Sequence, residues 1–179
     1  MDDADLVKAF KNGDREAFSE LVKRHSRPLT MMILRMVRSE EDAKDISQTV
    51  FLKAFESMPR FLMASSFKSW LYSIALNAVK DHFRKRRPEF VDDISEHLVD
   101  SSASALEQLE TRRRMGLIRE AIAQLPERQR LTLQLRVYEE MDYEEIARLI
   151  GGTANGARGN FFHATRAVRE KLELHDEKD

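Results

Sequence analysis

A chain of 179 residues is long enough for one domain or two small ones, and its charges nearly cancel to a net of −1. The absence of cysteine excludes disulfides, thiolate metal sites and a cysteine nucleophile. No apolar run approaches the roughly 18 residues of a membrane span, and the acidic N-terminus lacks signal-peptide features. We therefore expect a soluble, cytoplasmic protein without membrane insertion. Six glycines, four prolines and helical apolar spacing predict an all-α fold.

Three helical segments are predicted before residue 60. The first covers residues 5–23 and is interrupted around Gly13, where Asp14 can cap the part that continues to residue 23. A second helix is expected from Pro28 to Val37. The third should begin after the N-cap Ser39 and end near Met58. Its inward face is predicted to consist of Ala43, Ile46, Val50, Phe51, Ala54 and Phe55.

The segment from Ser66 to Arg87 combines an aromatic, apolar helix face with a basic end. Its inward positions are predicted to be Phe67, Trp70, Leu71, Ile74, Ala75 and Ala78. Rings stack on bases and cations pair with phosphates, so the pattern suits a nucleic-acid strand. An ordinary amphipathic helix with a solvated charged end explains the composition as well. Residues 89–110 hold seven acids and no Lys or Arg, which predicts a flexible linker.

A second small helical domain is expected from about Ala105. Pro126 marks the start of one helix, Asp142 can cap a short one, and Thr153 can cap the last. The Gly151-Gly152 turn between the last two helices predicts a helix-turn-helix, although an ordinary helical hairpin would show the same pattern. Gly156 and Gly159 each cost about 1 kcal/mol relative to alanine in a helix. A close approach to DNA or to another helix, or a turn that orders on binding, would explain them.

Four segments in this order carry a resemblance to a known family: Asp42–Phe51, Phe67–Arg84, Leu125–Arg130 and Tyr143–Ala147. The chain resembles a bacterial sigma factor of RNA polymerase, of the small extracytoplasmic-function (ECF) type with two conserved domains. The residues aligned with that family's recognition helix, Asn155–Asn160, match it in length but not in residue type. This difference leaves the base preferences of the helix open.

The resemblance implies a transcription initiation factor that directs core RNA polymerase to promoters, with residues 1–88 as its first domain. This domain would bind the clamp of the polymerase's largest subunit through Asp42, Asp45 and Gln48. It would also recognise and melt the minus-ten element. The residues implied there are Lys68, Asn77, Lys80, Arg84 and Arg87. The loop from Arg60 to Ser66 should form the wall of a pocket for an unpaired base, with Trp70 in the core.

The resemblance further implies that residues 105–179 bind the minus-thirty-five element and the flap of the second-largest subunit. The residues implied in DNA binding are Arg128, Arg130, Asn155, Arg158, Asn160, His163 and Arg166. The linker, residues 89–104, would run through the polymerase's RNA path as a polyanion mimic or serve as a solvated spacer. An anti-sigma protein is the expected regulator.

The sequence offers no support for an enzyme, a cofactor or a metal site. The five histidines are scattered without ligand spacing, and no glycine-rich phosphate loop follows a strand. The alternative function is a conventional helix-turn-helix regulator with an N-terminal interaction domain. That alternative explains the second domain but not the Asp42–Phe51 and Phe67–Arg84 segments.

Overall fold

The computed structural model describes residues 1–85 and 105–176, and these ranges are helical without strands. The chain divides into two compact units, Met1–Ser95 and Glu96–Asp179. The predicted all-α class is therefore confirmed. The predicted linker at residues 89–104, together with Arg87, lies outside the described residues. No helix within the described ranges is long and apolar enough to cross a membrane.

Residues 1–85 of the first unit form four helices, and short polar side chains fix where three of them begin. They are α1 (Asp3–Lys11), α2 (Glu16–Val37), α3 (Glu40–Ser57) and α4 (Phe67–Lys85), with a 3-10 turn at Met58–Arg60. Asp2 accepts a hydrogen bond from the Asp5 amide at 2.8 Å. Ser39 accepts one from the Asp42 amide, and Ser66 accepts one from Ser69. Each cap satisfies an amide that the first helical turn leaves without a partner.

Helix α2 runs through Pro28 as one helix of 22 residues, so the prediction of a new helix at Pro28 is wrong. A proline inside a helix removes one backbone hydrogen bond and costs about 3 kcal/mol. Pro28 is exposed, while Leu21, Leu29 and Ile33 of the same helix are fully buried. Burying each such side chain contributes about 1.5–3 kcal/mol. The burial of apolar residues before and after Pro28 in the sequence therefore outweighs the cost of the proline.

Helix α3 packs between α2 and α4 and buries most of its predicted face. Ala43, Val50 and Ala54 are fully buried. Phe55 is not, because its side chain remains 38% exposed, and its predicted inward position is wrong. Its ring lies edge-on to the rings of Phe10 and Phe18, with centroids 5.3 and 5.1 Å away. The aromatic contacts hold Phe55 at the surface of the unit, at the margin of its core.

The second unit packs three helices around a long C-terminal one. They are α5 (Ala105–Gln124), α6 (Glu127–Tyr138) and α7 (Tyr143–Ile150), and α8 (Ala154–Asp176) contacts all three. Asp142 caps α7 by accepting from the Glu145 amide at 2.7 Å. Gly151 and Gly152 have φ of +80° and +112°, which glycine adopts without strain, and they make the turn into α8. The predicted helix-turn-helix is therefore α7, this turn and α8.

Candidate nucleic-acid and polymerase interfaces

An apolar groove lies between α2 and α3 and encloses about 600 Å³. Phe18, Val22 and Thr30 line it from α2, and Phe51, Leu52 and Phe55 line it from α3. The Thr30 hydroxyl donates to the Ser47 hydroxyl at 2.8 Å, and this hydrogen bond joins the two helices. The side chain of Leu52 is 59% exposed. An exposed apolar groove of this kind is typical of a surface that binds another protein.

The three predicted polymerase-binding residues do not share one surface. Asp45 and Gln48 are exposed on α3, and Gln48 lines the groove beside Leu52. Asp42 turns toward α4 instead, where its carboxylate lies 3.8 Å from Nε2 of His82. Both side chains of this pair are 19% exposed. The pair connects the start of α3 with the C-terminal part of α4.

Helix α4 presents three of the predicted minus-ten residues on one face. Asn77, Lys80 and Arg84 are exposed, and their spacing of three and four residues places them on one side of a helix. Lys68 precedes Asn77 by nine residues, which is half a turn away from that side. The Lys68 ammonium lies 5.6 Å from the centre of the Tyr72 ring. The structure thus groups three of the described candidates and separates Lys68 from them.

Trp70 lies between the core and the surface. Its ring is only partly buried and stacks on Phe61, with centroids 4.5 Å apart and planes inclined by 19°. Trp70 precedes Asn77 by seven residues, or about two helical turns, and so shares the exposed side of α4. The prediction that Trp70 is a core residue is therefore only half right. The structure places an aromatic stack at the start of the basic face.

The loop before α4 borders a cavity of about 500 Å³. Phe61, Met63 and Ser65 line it from the loop, while Asp2 and Asp3 line it from the N-terminus. Leu62 at the loop tip is 87% exposed. Met63 adopts φ of +57°, a left-handed conformation that costs a residue other than glycine roughly 1–2 kcal/mol. Backbone strain of this kind is often found at binding sites.

The acidic wall of this cavity is held in place by basic side chains. The Asp3 carboxylate lies 2.7 Å from Nε2 of His25 and accepts a hydrogen bond from Arg24 at 3.4 Å. The Asp2 carboxylate accepts from the Asp5 amide, and this hydrogen bond lowers the pKa of Asp2. The ring of His25 also lies edge-on to Phe67, with centroids 5.2 Å apart. These contacts fasten the start of α1 to α2 and to the first residue of α4.

The exposed side of α8 carries a stripe that we call the reading stripe. Its members follow a spacing of three, four and four residues, and all are exposed. They are Asn155, Arg158, Phe162 and Arg166. His163 is exposed beside this stripe, whereas Asn160 is partly buried and lies about 140° from Asn155 around the helix. Asn160 is thus the predicted α8 residue that the structure turns farthest from Asn155.

Sequence reasoning missed Phe162. Its side chain is 59% exposed, and its ring lies edge-on to the imidazole of His163 at 5.6 Å. A phenylalanine usually signals core packing, so residue type alone favours its polar neighbours as DNA contacts. The four-residue spacing from Arg158 to Phe162 and on to Arg166 is the signal that could have found it.

Arg158 is held by a neighbouring aromatic ring. Its guanidinium carbon lies 5.3 Å from the centre of the Tyr143 ring, and that of Arg136 lies 5.1 Å from the same ring. Cation–π contacts at exposed sites contribute about 0.5–1 kcal/mol. Tyr143 is the first residue of α7 and also contacts Phe161 of α8. The ring therefore connects both helices of the helix-turn-helix to Arg158.

The other predicted arginines of this unit make contacts within the protein. Arg128 donates to the Ile150 carbonyl and Arg130 to the Ala123 carbonyl, both at 3.2 Å. Arg166 donates to Glu170 at 2.7 Å, and this hydrogen bond raises the pKa of the guanidinium. Arg128 stays exposed beside the Gly151-Gly152 turn, while Arg130 is partly buried. Within residues 1–85 and 105–176, no cluster of acidic and histidine side chains is arranged to hold a metal ion.

Comparison with known proteins identifies the family. Residues 21–89 match the model of sigma-70 region 2, and residues 115–168 match that of sigma-70 region 4. The chain is 33% identical to the RNA polymerase sigma-H factor of Pseudomonas aeruginosa, over 96% of this chain and 94% of that one. It is 31% identical to the ECF RNA polymerase sigma-E factor of Escherichia coli K12, over 97% of this chain and 95% of that one.

Two solved structures share the fold. One is CnrH in complex with the cytosolic domain of CnrY, with a TM-score of 0.70, 24% identity and coverage of 99% of this chain and 98% of that one. The other is the sigma factor RpoE in complex with the anti-sigma factor NepR from Bartonella quintana, with a TM-score of 0.70, 20% identity and coverage of 88% and 97%. With both region models and these relatives matched across nearly its whole length, the chain belongs to the ECF sigma factors of bacterial RNA polymerase.

Proposed function

We propose that this promoter-specific initiation factor divides promoter recognition between its two units, with no catalytic step of its own. The observation that carries the proposal is that each unit presents one exposed helix face of DNA-binding side chains. On α4 this face includes Lys80 and Arg84, and on α8 it is the reading stripe. Cations beside amides and an exposed ring can pair with phosphates and contact base edges. The factor would act with core polymerase in the cytoplasm.

The α4 face and the neighbouring loop would capture the unpaired strand of the minus-ten element. Opening DNA costs roughly 1–2 kcal/mol of stacking per base step, and a protein without nucleotide hydrolysis must offset that cost by binding the opened strand. The partly exposed ring of Trp70, which stacks on the buried Phe61, offers a surface for a base. The cavity behind the loop, with Met63 in its wall, offers room for an unpaired one. Lys80 and Arg84 would hold the adjacent phosphates.

The reading stripe of α8 would enter the major groove at the minus-thirty-five element. Arginine pairs well with the O6 and N7 atoms of guanine, and a phenyl ring suits the methyl group of thymine. Arg158 and Phe162 are therefore the proposed base-reading residues, with Tyr143 positioning Arg158. Arg166 and the exposed Arg128 would lie beside phosphates. Removing a phosphate contact should weaken binding evenly across sequences, whereas removing a base contact should relax one position.

The groove between α2 and α3 would bind the clamp of the polymerase's largest subunit. Asp45 and Gln48 supply polar contacts next to the apolar Leu52. In the second unit Val137 is 53% exposed on α6 and supports a contact with the flap of the second-largest subunit. An anti-sigma protein is the proposed regulator, because the relative RpoE from Bartonella quintana was solved with one.

Reconstituted transcription tests the proposal directly. The chain and core polymerase alone should co-purify and should start transcripts at defined promoters without another specificity factor. A conventional helix-turn-helix regulator would need a second sigma factor in the same reaction. The double variant Lys80→Ala/Arg84→Ala should lower the fraction of promoter DNA that becomes permanganate-reactive. The matched control Lys8→Ala/Lys23→Ala removes two exposed cations from α1 and α2 and should leave that fraction unchanged.

A further inference from the structure

Gly159 lies beside the reading stripe and is partly exposed, and no contact within the folded chain explains why it lacks a side chain. It lies one residue after Arg158 and three before Phe162, on the side of α8 that carries the exposed residues. Apart from Arg158, Asn160 and the local helix backbone, a Cβ built on it would meet no atom within 4 Å. Its backbone is not left-handed, so alanine could take its place without strain. Packing and conformation within the chain therefore both permit a side chain here.

The local structure explains why the neighbouring positions 151, 152 and 156 are glycine, whereas it does not explain Gly159. Gly151 and Gly152 adopt positive φ in the turn. A Cβ on Gly156 would lie 3.3 Å from the Thr153 hydroxyl, the oxygen that caps α8 by accepting from the Gly156 amide. Gly116 in α5 is the other helical glycine with open space around it, and it lies outside the helix-turn-helix. Open space around a helical glycine is therefore not by itself evidence of a DNA contact. Gly159 differs from Gly116 because it lies beside the reading stripe of the helix-turn-helix.

We infer that Gly159 is the point at which α8 comes closest to the base edges of the minus-thirty-five element, so that the missing side chain itself sets specificity. The inference rests on the proposed function of the second unit. An α-helix of about 10–12 Å diameter just fits the major groove, which is about 12 Å wide. A position without Cβ lets the helix backbone sit deeper there. Arg158 and the ring of Phe162 on either side then reach the base edges together.

The test compares Gly159→Ala with the matched control Gly116→Ala, both in the full chain. The first measurement is the thermal unfolding of the chain itself, whose midpoint alanine should raise in both variants by up to about 4–8 °C because it favours the helix at an open position. The second measurement is the ratio of holoenzyme affinity for a promoter with a mapped start to its affinity for the same DNA with a scrambled minus-thirty-five element. This ratio should fall at least about fivefold for Gly159→Ala and stay within about twofold for Gly116→Ala.

Three results would overturn the inference, and each has a different meaning. An unchanged ratio for Gly159→Ala would show that a methyl group fits between α8 and the DNA. An equal fall for Gly116→Ala would assign the loss to helix stiffness rather than to close approach. A wild-type holoenzyme that binds intact and scrambled elements equally would refute the proposed function of the second unit, and the inference would fail with it.

Discussion

Leu52→Ala is the sharpest test of the polymerase-binding groove. Complete burial of a leucine side chain contributes about 1.5–3 kcal/mol, and 59% of this side chain is still exposed in the free chain. A partner that covers it would therefore gain about 1–2 kcal/mol. Alanine keeps the Cβ, so the loss should lie near the lower value. We expect a core-polymerase affinity about fivefold weaker than that of the wild type.

Folding stability should respond much less than affinity. Leu52 lies at the edge of an open groove, so its truncation leaves no enclosed cavity in the core. The absence of cysteine allows a single fluorophore to be attached at Glu173→Cys in the second unit. Titration with core polymerase, followed by fluorescence anisotropy, then gives the dissociation constant. Thermal unfolding of the same samples reports stability.

Met31→Ala is the matched control for Leu52→Ala. Met31 lies on α2, is 40% exposed and does not line the groove. Its truncation should leave the dissociation constant within about twofold of the wild type. An affinity that is unchanged in Leu52→Ala, or lowered equally in both variants, would refute the assignment of the groove to the polymerase.

Three further predictions concern other parts of the structure. Phe162→Ala should remove the preference for thymine over uracil at one minus-thirty-five position, measured with duplexes carrying single uracil replacements; a preserved preference would exclude a methyl contact. His82→Ala should lower the thermal midpoint of the first unit because it removes the contact between α4 and the Asp42 carboxylate, whereas Asp45→Ala should lower polymerase affinity alone. If His82→Ala instead lowered polymerase affinity and Asp45→Ala lowered the thermal midpoint, the assignment of Asp42 to stability and Asp45 to polymerase binding would be wrong. Pro28→Ala should raise the free energy of unfolding by about 1–2 kcal/mol in urea, since alanine restores an amide donor; a decrease would show that the exposed ring is packed.

Much of the fold could be predicted from the sequence because caps and apolar spacing are local signals. Ser39, Asp142 and Thr153 mark helix starts by their side-chain chemistry alone. The continuity of α2 through Pro28 could not be predicted in the same way. It depends on how much apolar surface the helix buries against α1, α3 and α4, which is a property of the assembled unit.

The residues of the candidate sites could also be predicted only in part from local patterns. The family resemblance placed Asp42, Asp45 and Gln48 in one group, but the direction of each side chain depends on which neighbour it meets. Asp42 meets His82 of α4, forty residues later in the chain, and this contact leaves no trace in the local pattern. Phe162 could not be predicted as a DNA contact because a phenylalanine in a sequence usually indicates a core position. Only the packing of α8 shows that its ring lies on the exposed side of the helix.

The way α8 is packed has a consequence for how such proteins diverge. The inward side of the helix holds Ala157 at 3% and Ala164 at 0% exposure, and Phe161 and Val168 pack against the core of the unit beside Ala164. The reading stripe lies on the other side and carries little of the core. Substitutions at Phe162 or Asn155 should therefore change which promoter is chosen while costing little folding stability. A duplicated gene could acquire a new regulon through a few such changes, and a designer could build orthogonal promoter pairs by the same route.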